Sequence, residues 1–426
     1  EIPKRDWSSD VCSSDLALKM VPGFTMFRRT SSRNANPTSQ GVSLRGVGGT
    51  AQSRSLVLAD GLPLNDAFGG WVYWDKVPQA AIDRVEVQRG SGSDLYGADA
   101  VGGVVQVLTV RPGRPTGRAV LEGGNMSSGR VSLFGGARAG GLRYSAGGEW
   151  FNTDGYISVA EQQNPGIAPR GPVDTLLGSS HHSAIAAVGY QAANGWRFDL
   201  NASVFSEDRQ NGTPLATNTT ASRQGGGEAA GGMGGGLLTL RAYGGTQDYH
   251  QTFSTVNATR TAEALNRDQN IPSTSGGFGG QWIRPFGAHA LLVGAEGRYI
   301  KGSSIETPYT AGRALATVSA GGKQWRSSGF LQDTIAVNNR LTVVLGAHGD
   351  TWDSISDAAG ATTKSKSSFN PRASASYRIT ESVVTLRGSV YHGFRAPTLN
   401  EFYRRDRKST RLNSSHVSES RMPSSA

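Results

Sequence analysis

Cysteine is almost absent: the 426 residues contain one, Cys12. That excludes a disulfide framework, a cysteine zinc cluster and a CxxC redox centre. Long apolar runs are also missing. Val101–Leu108 is among the longest, and Gly102 and Gly103 break it, so nothing approaches the roughly 18 apolar residues of a membrane-spanning helix. Runs of five or six like charges do not occur, so the net charge of +10 forms no basic patch and nucleic acid is not expected as a partner. Lysine is scarce and the basic residues are mostly arginine, whose planar fork suits buried or lumenal pairing with carboxylates. No nucleophile elbow, zinc-binding helix or paired-carboxylate motif is present, which argues against an enzyme. No cofactor is expected, and no metal. His181–His182 lies in a stretch expected to be a long loop, without a third ligand at metal spacing, and neighbouring strand residues face opposite ways. The Gly90–Gly97 segment GSGSDLYG lacks both the Lys-Ser/Thr of a phosphate loop and the spacing of a dinucleotide fingerprint.

What the chain has in quantity is glycine, 58 residues, with an ordinary 17 prolines and no collagen period. Charged residues at 18% and aromatics at 8% exclude a disordered polyampholyte. Between Ala17 and about Pro115, short β-branched runs alternate with turn signals. Val42–Leu44, Ser55–Ala59, Val85–Gln88 and Val104–Thr109 are expected strands, with a turn at Asp60–Gly61 and a short helix at Gln79–Asp83.

From Ala119 onward the pattern becomes strand-like segments of about ten residues. Trp196, Phe198, Leu200, Ala202 and Val204 alternate with Arg197, Asp199, Asn201 and Ser203, as expected where one face meets lipid and the other a lumen. Short links such as Gly140–Gly141 and Pro285–Gly287 alternate with long polar connections at Thr153–His181, Gln251–Ser275, Gly302–Lys323 and Asp353–Ser367. Such alternation marks short periplasmic turns and long outer loops. Parity requires a further inward strand, assigned to Thr219–Gly231, and brings the total to about thirteen. Glu1–Leu16 and Asp406–Ala426 are Ser-rich, lack either period and look like translated sequencing-adapter read-through.

The motifs VPGF (Val21–Phe24), SLRGVGG (Ser43–Gly49), VLADGLPLND (Val57–Asp66) and IDRVEVQRGSGSDLYGADAVGGVVQVLT (Ile82–Thr109) together resemble the plug domain of TonB-dependent outer-membrane receptors. GAEGRY at Gly294–Tyr299 and FRAPTLNEFY at Phe394–Tyr403 are similar to barrel segments of that family. The resemblance implies a mainly β fold, with an α/β plug domain followed by an incomplete antiparallel transmembrane β-barrel of about 13 of 22 strands. The expected divisions are an adapter-like 1–16, a plug at 17–115, a partial barrel at 116–405 and an adapter-like 406–426.

The implied function is energised uptake of a metal chelate, such as a ferric siderophore or cobalamin, across the bacterial outer membrane. The implied partners are a TonB-type energy-coupling protein, the chelate and outer-membrane lipid, with the receptor a monomer. Outward plug loops are expected at Phe27–Gln40, Leu62–Asp75 and Arg89–Tyr96. In the second, Phe68, Trp71, Tyr73 and Trp74 surround Asn65 and Asp66, a composition that suits either ligand contact or packing of plug against barrel wall. Arg45 and Arg89 are expected to lock the plug to barrel carboxylates, with Glu296 as one partner, and Glu86 to pair locally with Arg84. Two other readings stay open: a secreted structural or adhesive β-protein, such as a solenoid, and a non-functional truncated fragment.

Overall fold

The computed structural model describes residues 18–27, 31–44, 52–89, 99–161, 169–380 and 384–403. The N-terminal part holds a small mixed sheet in the order β4-β3-β6-β5. Its strands are β3 (Leu56–Ala59), β4 (Leu62–Pro63), β5 (Ile82–Arg89) and β6 (Gly103–Thr109), with β3 parallel to β6. A separate pair joins β1 (Phe24–Met26) to β2 (Val42–Leu44). Valine-rich runs suit these strands because branched side chains pack well on a pleated surface. Val57, Val85, Val105 and Val107 meet Leu44, Leu64 and Trp74 in the plug core.

Asp60 and Gly61 both take positive φ, at 46° and 86°, and close the β3–β4 hairpin as a turn of the primed type requires. The Asp60 carboxylate then accepts from the Thr109 backbone N–H at 3.0 Å, tying the hairpin to β6. The helix expected at Gln79–Asp83 is a 3-10 turn, Gln79–Ala81. Ile82 and Asp83 belong to β5, whose ladder to β6 begins at once.

The rest of the chain forms one antiparallel sheet of 14 strands. It runs through β7 (Thr116–Gly124), β8 (Ser128–Ala139), β9 (Leu142–Thr153), β10 (Ser179–Gln191), β11 (Arg197–Thr213), β12 (Ala216–Met233) and β13 (Gly236–Val256). It continues through β14 (Glu263–Phe286), β15 (His289–Thr310), β17 (Val318–Ala336), β18 (Leu341–Ser356), β19 (Lys364–Thr380) and β20 (Val384–Tyr391), while the short β16 (Arg313–Ala314) pairs only with β15. These strands form a meander of sequential neighbours, unlike a solenoid, and thirteen lie on its path, as the sequence pattern predicted. β12 supplies the inward strand that parity demanded. Among the described residues β7 and β20 do not pair, so the sheet is not closed.

The two faces differ as a bilayer-facing wall requires. On β11, Phe198, Leu200 and Val204 are 45%, 65% and 50% exposed, while Phe205, Glu207 and Arg209, of the opposite parity, are buried on the inner face. Leu133, Tyr190, Phe278, Trp325 and Leu345 continue the exposed apolar face, which is far larger than water-soluble proteins tolerate. Among the described residues no helix is long and apolar enough to cross a membrane.

The strands are longer than the sequence pattern suggested, β14 reaching 24 residues. Three of the connections expected to be long shrink to 257–262, 311–317 and 357–363. Gln251–Val256, for example, remain paired to the start of β14. These extensions are rich in Ser, Thr, Asn and Gln. Beyond the lipid belt both faces are wetted, so the ladder continues while the apolar alternation that announces a strand fades.

Candidate functional site: the contact between plug and barrel wall

The 64–76 loop is fixed locally before it meets the wall. Asn65 accepts from the Val57 N–H at 2.7 Å and donates to the Ser55 carbonyl at 3.3 Å. The Asp66 N–H donates to the Trp71 carbonyl at 2.7 Å, Gly70 returns to the Asp66 carbonyl at 3.0 Å, and the Asp66 carboxylate accepts from the Gly69 N–H. Gly70 at φ 79° supplies the left-handed step of this turn.

Over Trp71–Trp74 successive residues then face opposite ways. Trp74 points into the plug core beside Phe24, at 6.4 Å between ring centres. Phe68, Trp71 and Tyr73 point to the wall and pack with Phe205, Tyr249, Ile271 and Ile300. Trp71 meets Tyr249 and Tyr73 meets Phe205, each at 5.8 Å between ring centres. All four aromatics and Asp66 are buried, and Asn65 is half-buried. Of the two uses that composition allowed, packing is what occupies these rings in this structure.

Polar groups pass through the same contact. Lys76 donates to Gln247 on β13 at 3.0 Å and lies 4.7 Å from the Tyr73 ring centre. Gln247 in turn donates to Asp66. Burial pushes the Lys76 ammonium down to about 8, against the pull of the Asp66 and Glu207 carboxylates. Burial likewise raises Asp66, despite the hydrogen bond from Gly69, the Lys76 charge and the Gln247 amide.

A second cluster joins the 3-10 turn Trp74–Lys76 to β9, β10 and β11. Asp75, His181 and Glu207 are buried, with ligand-type atoms within 4.8 Å of one another. His181 pairs with Glu149 at 3.2 Å, and Glu149 also accepts the Gln79 backbone N–H at 2.8 Å. The Arg209 guanidinium binds Glu207 and lies 3.9 Å from Asp75, so a cation already stands between these carboxylates. Sequence spacing could not show this grouping, because the plug supplies Asp75 and two strands supply the rest. The histidines belong to β10 and not to a loop, with His181 inward and His182 exposed.

A third cluster holds Asp99. Its carboxylate accepts from Arg298 and, at 2.5 Å, from Arg326, on β15 and β17. Burial works to raise this carboxyl, but the two guanidinium groups outweigh it and hold it at about 2. Asp99 escaped sequence reasoning because its partners lie about 200 positions away, at Arg298 and Arg326. Glu296 lies nearby in the lining of a cavity of about 310 Å³, together with Asp99, Tyr243, Arg298, Arg326 and Asp350. Among the described residues no plug arginine pairs with Glu296. Arg89 ends β5 exposed, without an ion pair to a described residue, and Arg45 lies outside the described residues. Arg84 and Glu86 do pair locally, at 2.8 Å.

The FRAPTLNEFY segment, similar to a barrel segment of the family, turns over the inner face after β20 and ends in a short helix, Leu399–Tyr403. Leu399 is buried among the Phe68 and Trp71 rings, and the Asn400 N–H donates to the Phe68 carbonyl at 3.0 Å. The Tyr403 hydroxyl lies 2.7 Å from that of Ser354 on β18.

Comparison with known proteins agrees with this architecture. Residues 10–104 match the TonB-dependent receptor plug domain, and residues 109–418 match the TonB-dependent receptor-like β-barrel. An iron-regulated outer membrane virulence protein of Vibrio cholerae is 25% identical over 90% of this chain and 55% of its own length. The vitamin B12 transporter BtuB of Vibrio vulnificus is 34% identical over 33% of this chain and 22% of its own. The chain therefore spans about half the length of the first of these relatives. The ferric yersiniabactin uptake receptor FyuA of Yersinia pestis superposes with a TM-score of 0.66 at 15% identity, covering 88% of this chain and 61% of that one. With both its plug and its barrel matched in order, this outer-membrane chain belongs to the TonB-dependent receptor family.

Proposed function

We propose that the protein is a receptor for uptake of a metal chelate, a ferric siderophore or cobalamin, powered through a TonB-type energy-coupling protein. The observation that carries this reading is a plug held to the inner face of a lipid-facing sheet by separable polar contacts as well as packing. Those contacts are Lys76 to Gln247, Arg209 toward Asp75, and Asp99 to Arg298 and Arg326. Asp75, Lys76 and Arg209 are buried, and parting a buried pair costs about 3–5 kcal/mol, so release of the plug calls for an external pull that breaks these contacts one after another. Such a device binds and moves its cargo without covalent chemistry. The names of the relatives, iron-regulated in one case and vitamin B12 transporter in another, support both chelate classes.

In this proposal Asn65, Asp66, Phe68, Trp71, Tyr73 and Trp74 act on the ligand indirectly, by holding the loop that shapes the floor of the binding chamber. Arg45, Arg89 and Glu296 are proposed to add to the lock when the plug is fully seated. The exposed apolar face speaks against a secreted adhesive protein, which would have to carry it in water. The test is titration of the detergent-purified receptor with a panel of ferric chelates and with cobalamin, followed by tryptophan fluorescence. Saturable binding of one class at submicromolar concentration supports the reading, and no binding across the panel refutes it.

A further inference from the structure

Arg298 and Arg326 are direct partners across the β15–β17 ladder. Like charges placed opposite on one sheet face repel, so the pair is unfavourable unless an anion lies between them. The plug supplies that anion, with one Asp99 oxygen on each guanidinium. Most of the binding capacity of the pair is nevertheless unused. Each guanidinium has five donors, and the buried Arg298 Nε and Arg326 Nε have no acceptor among the described residues. Both arginines line the adjoining cavity of about 310 Å³. The guanidinium fork matches the two oxygens of a carboxylate in spacing and plane.

We infer that Arg298 and Arg326 form a carboxylate site on the lumenal wall, which Asp99 occupies at rest and which takes a carboxylate group of the passing chelate once the plug withdraws. The inference rests on the transport reading above for its physiological meaning. The site itself follows from the paired arginines and the cavity. Withdrawal of Asp99 removes the one carboxylate that bridges both cations, leaving Glu296 and Asp350 of the wall in the same cavity, and a carboxylate-bearing cargo can take the bridging place. Cargo entry and plug displacement are thereby coupled through a single exchange of anions.

Citrate serves as the probe. Asp99→Asn in the complete receptor empties the site of its resident anion. Citrate should then bind at least tenfold more tightly than to the unmodified receptor, and adding Arg298→Gln and Arg326→Gln should abolish that gain. An unchanged affinity in Asp99→Asn, or a gain that survives loss of both arginines, overturns the inference. Equal binding of sulfate overturns the carboxylate assignment. Should Asp99→Asn fail to assemble, the unmodified receptor decides. Citrate should speed hydrogen exchange at the Ala100 and Val101 amides relative to sodium chloride of equal ionic strength, and no difference refutes the exchange. Citrate binding in a receptor that imports no chelate would retain the site and remove the transport reading.

Discussion

Replacing Lys76 by methionine isolates the cost of one buried charge in the plug–wall contact. The ammonium stands at about 8 in the folded protein against an ordinary 10.5. Between those values the unfolded chain holds a proton that the folded chain has released, so stability rises with pH across this window. Below pH 8 the full penalty applies, and above 10.5 it is gone. The difference of about 2.5 units corresponds to about 3 kcal/mol. Lys76→Met keeps the length of the side chain and removes the titration. Other lysines and tyrosines titrate in both proteins and cancel in the difference.

The assay is guanidinium unfolding of the plug, followed by fluorescence of the buried Trp71 and Trp74, at intervals from pH 7 to 10.5. The stability of the unmodified receptor should climb relative to Lys76→Met by about 3 kcal/mol over the interval. Parallel curves, or a relative fall, would refute the placement of a charged lysine in this contact.

Trp71→Ala removes an indole packed on Tyr249 and should lower plug stability by about 3–5 kcal/mol in the same unfolding assay, with the barrel transition unmoved. Gly102→Ala would bring a Cβ to 2.8 Å from the Ser55 hydroxyl and 2.9 Å from the Arg54 carbonyl oxygen. It should cost about 1–3 kcal/mol of plug stability, measured by its denaturant midpoint. Leu200→Arg puts a charge on the exposed apolar face of β11 and should weaken insertion into phospholipid vesicles by about 2–4 kcal/mol, whereas Asn201→Arg on the inner face should not.

Strand order, the hidden inward strand β12 and the inner and outer faces of the sheet were legible in the sequence. Each depends on period-two patterning or on parity, which a single strand or its nearest neighbours express. The 79–83 helix and the long outer connections were misjudged for related reasons. Ile82 and Asp83 join a ladder whose partner, β6, lies more than 20 residues on, and polar strand extensions show no apolar alternation. The candidate site was only half legible. The aromatic loop announced itself by composition, but whether its rings face a ligand or a wall depends on Phe205, Tyr249 and Ile300 from distant strands. Asp99 and Lys76 carried no local signal, because what distinguishes them is the opposing Arg298, Arg326 and Gln247.

Chelate uptake by cells in which this protein is the sole receptor tests the central claim most directly. Radio-iron presented as a ferric siderophore, and radiolabelled cobalamin, are followed with and without the energy-coupling protein. The predicted result is saturable uptake of one of them that disappears when the coupling protein is deleted, while surface binding remains. Uptake of neither, or uptake that persists without coupling, would contradict energised transport by this protein.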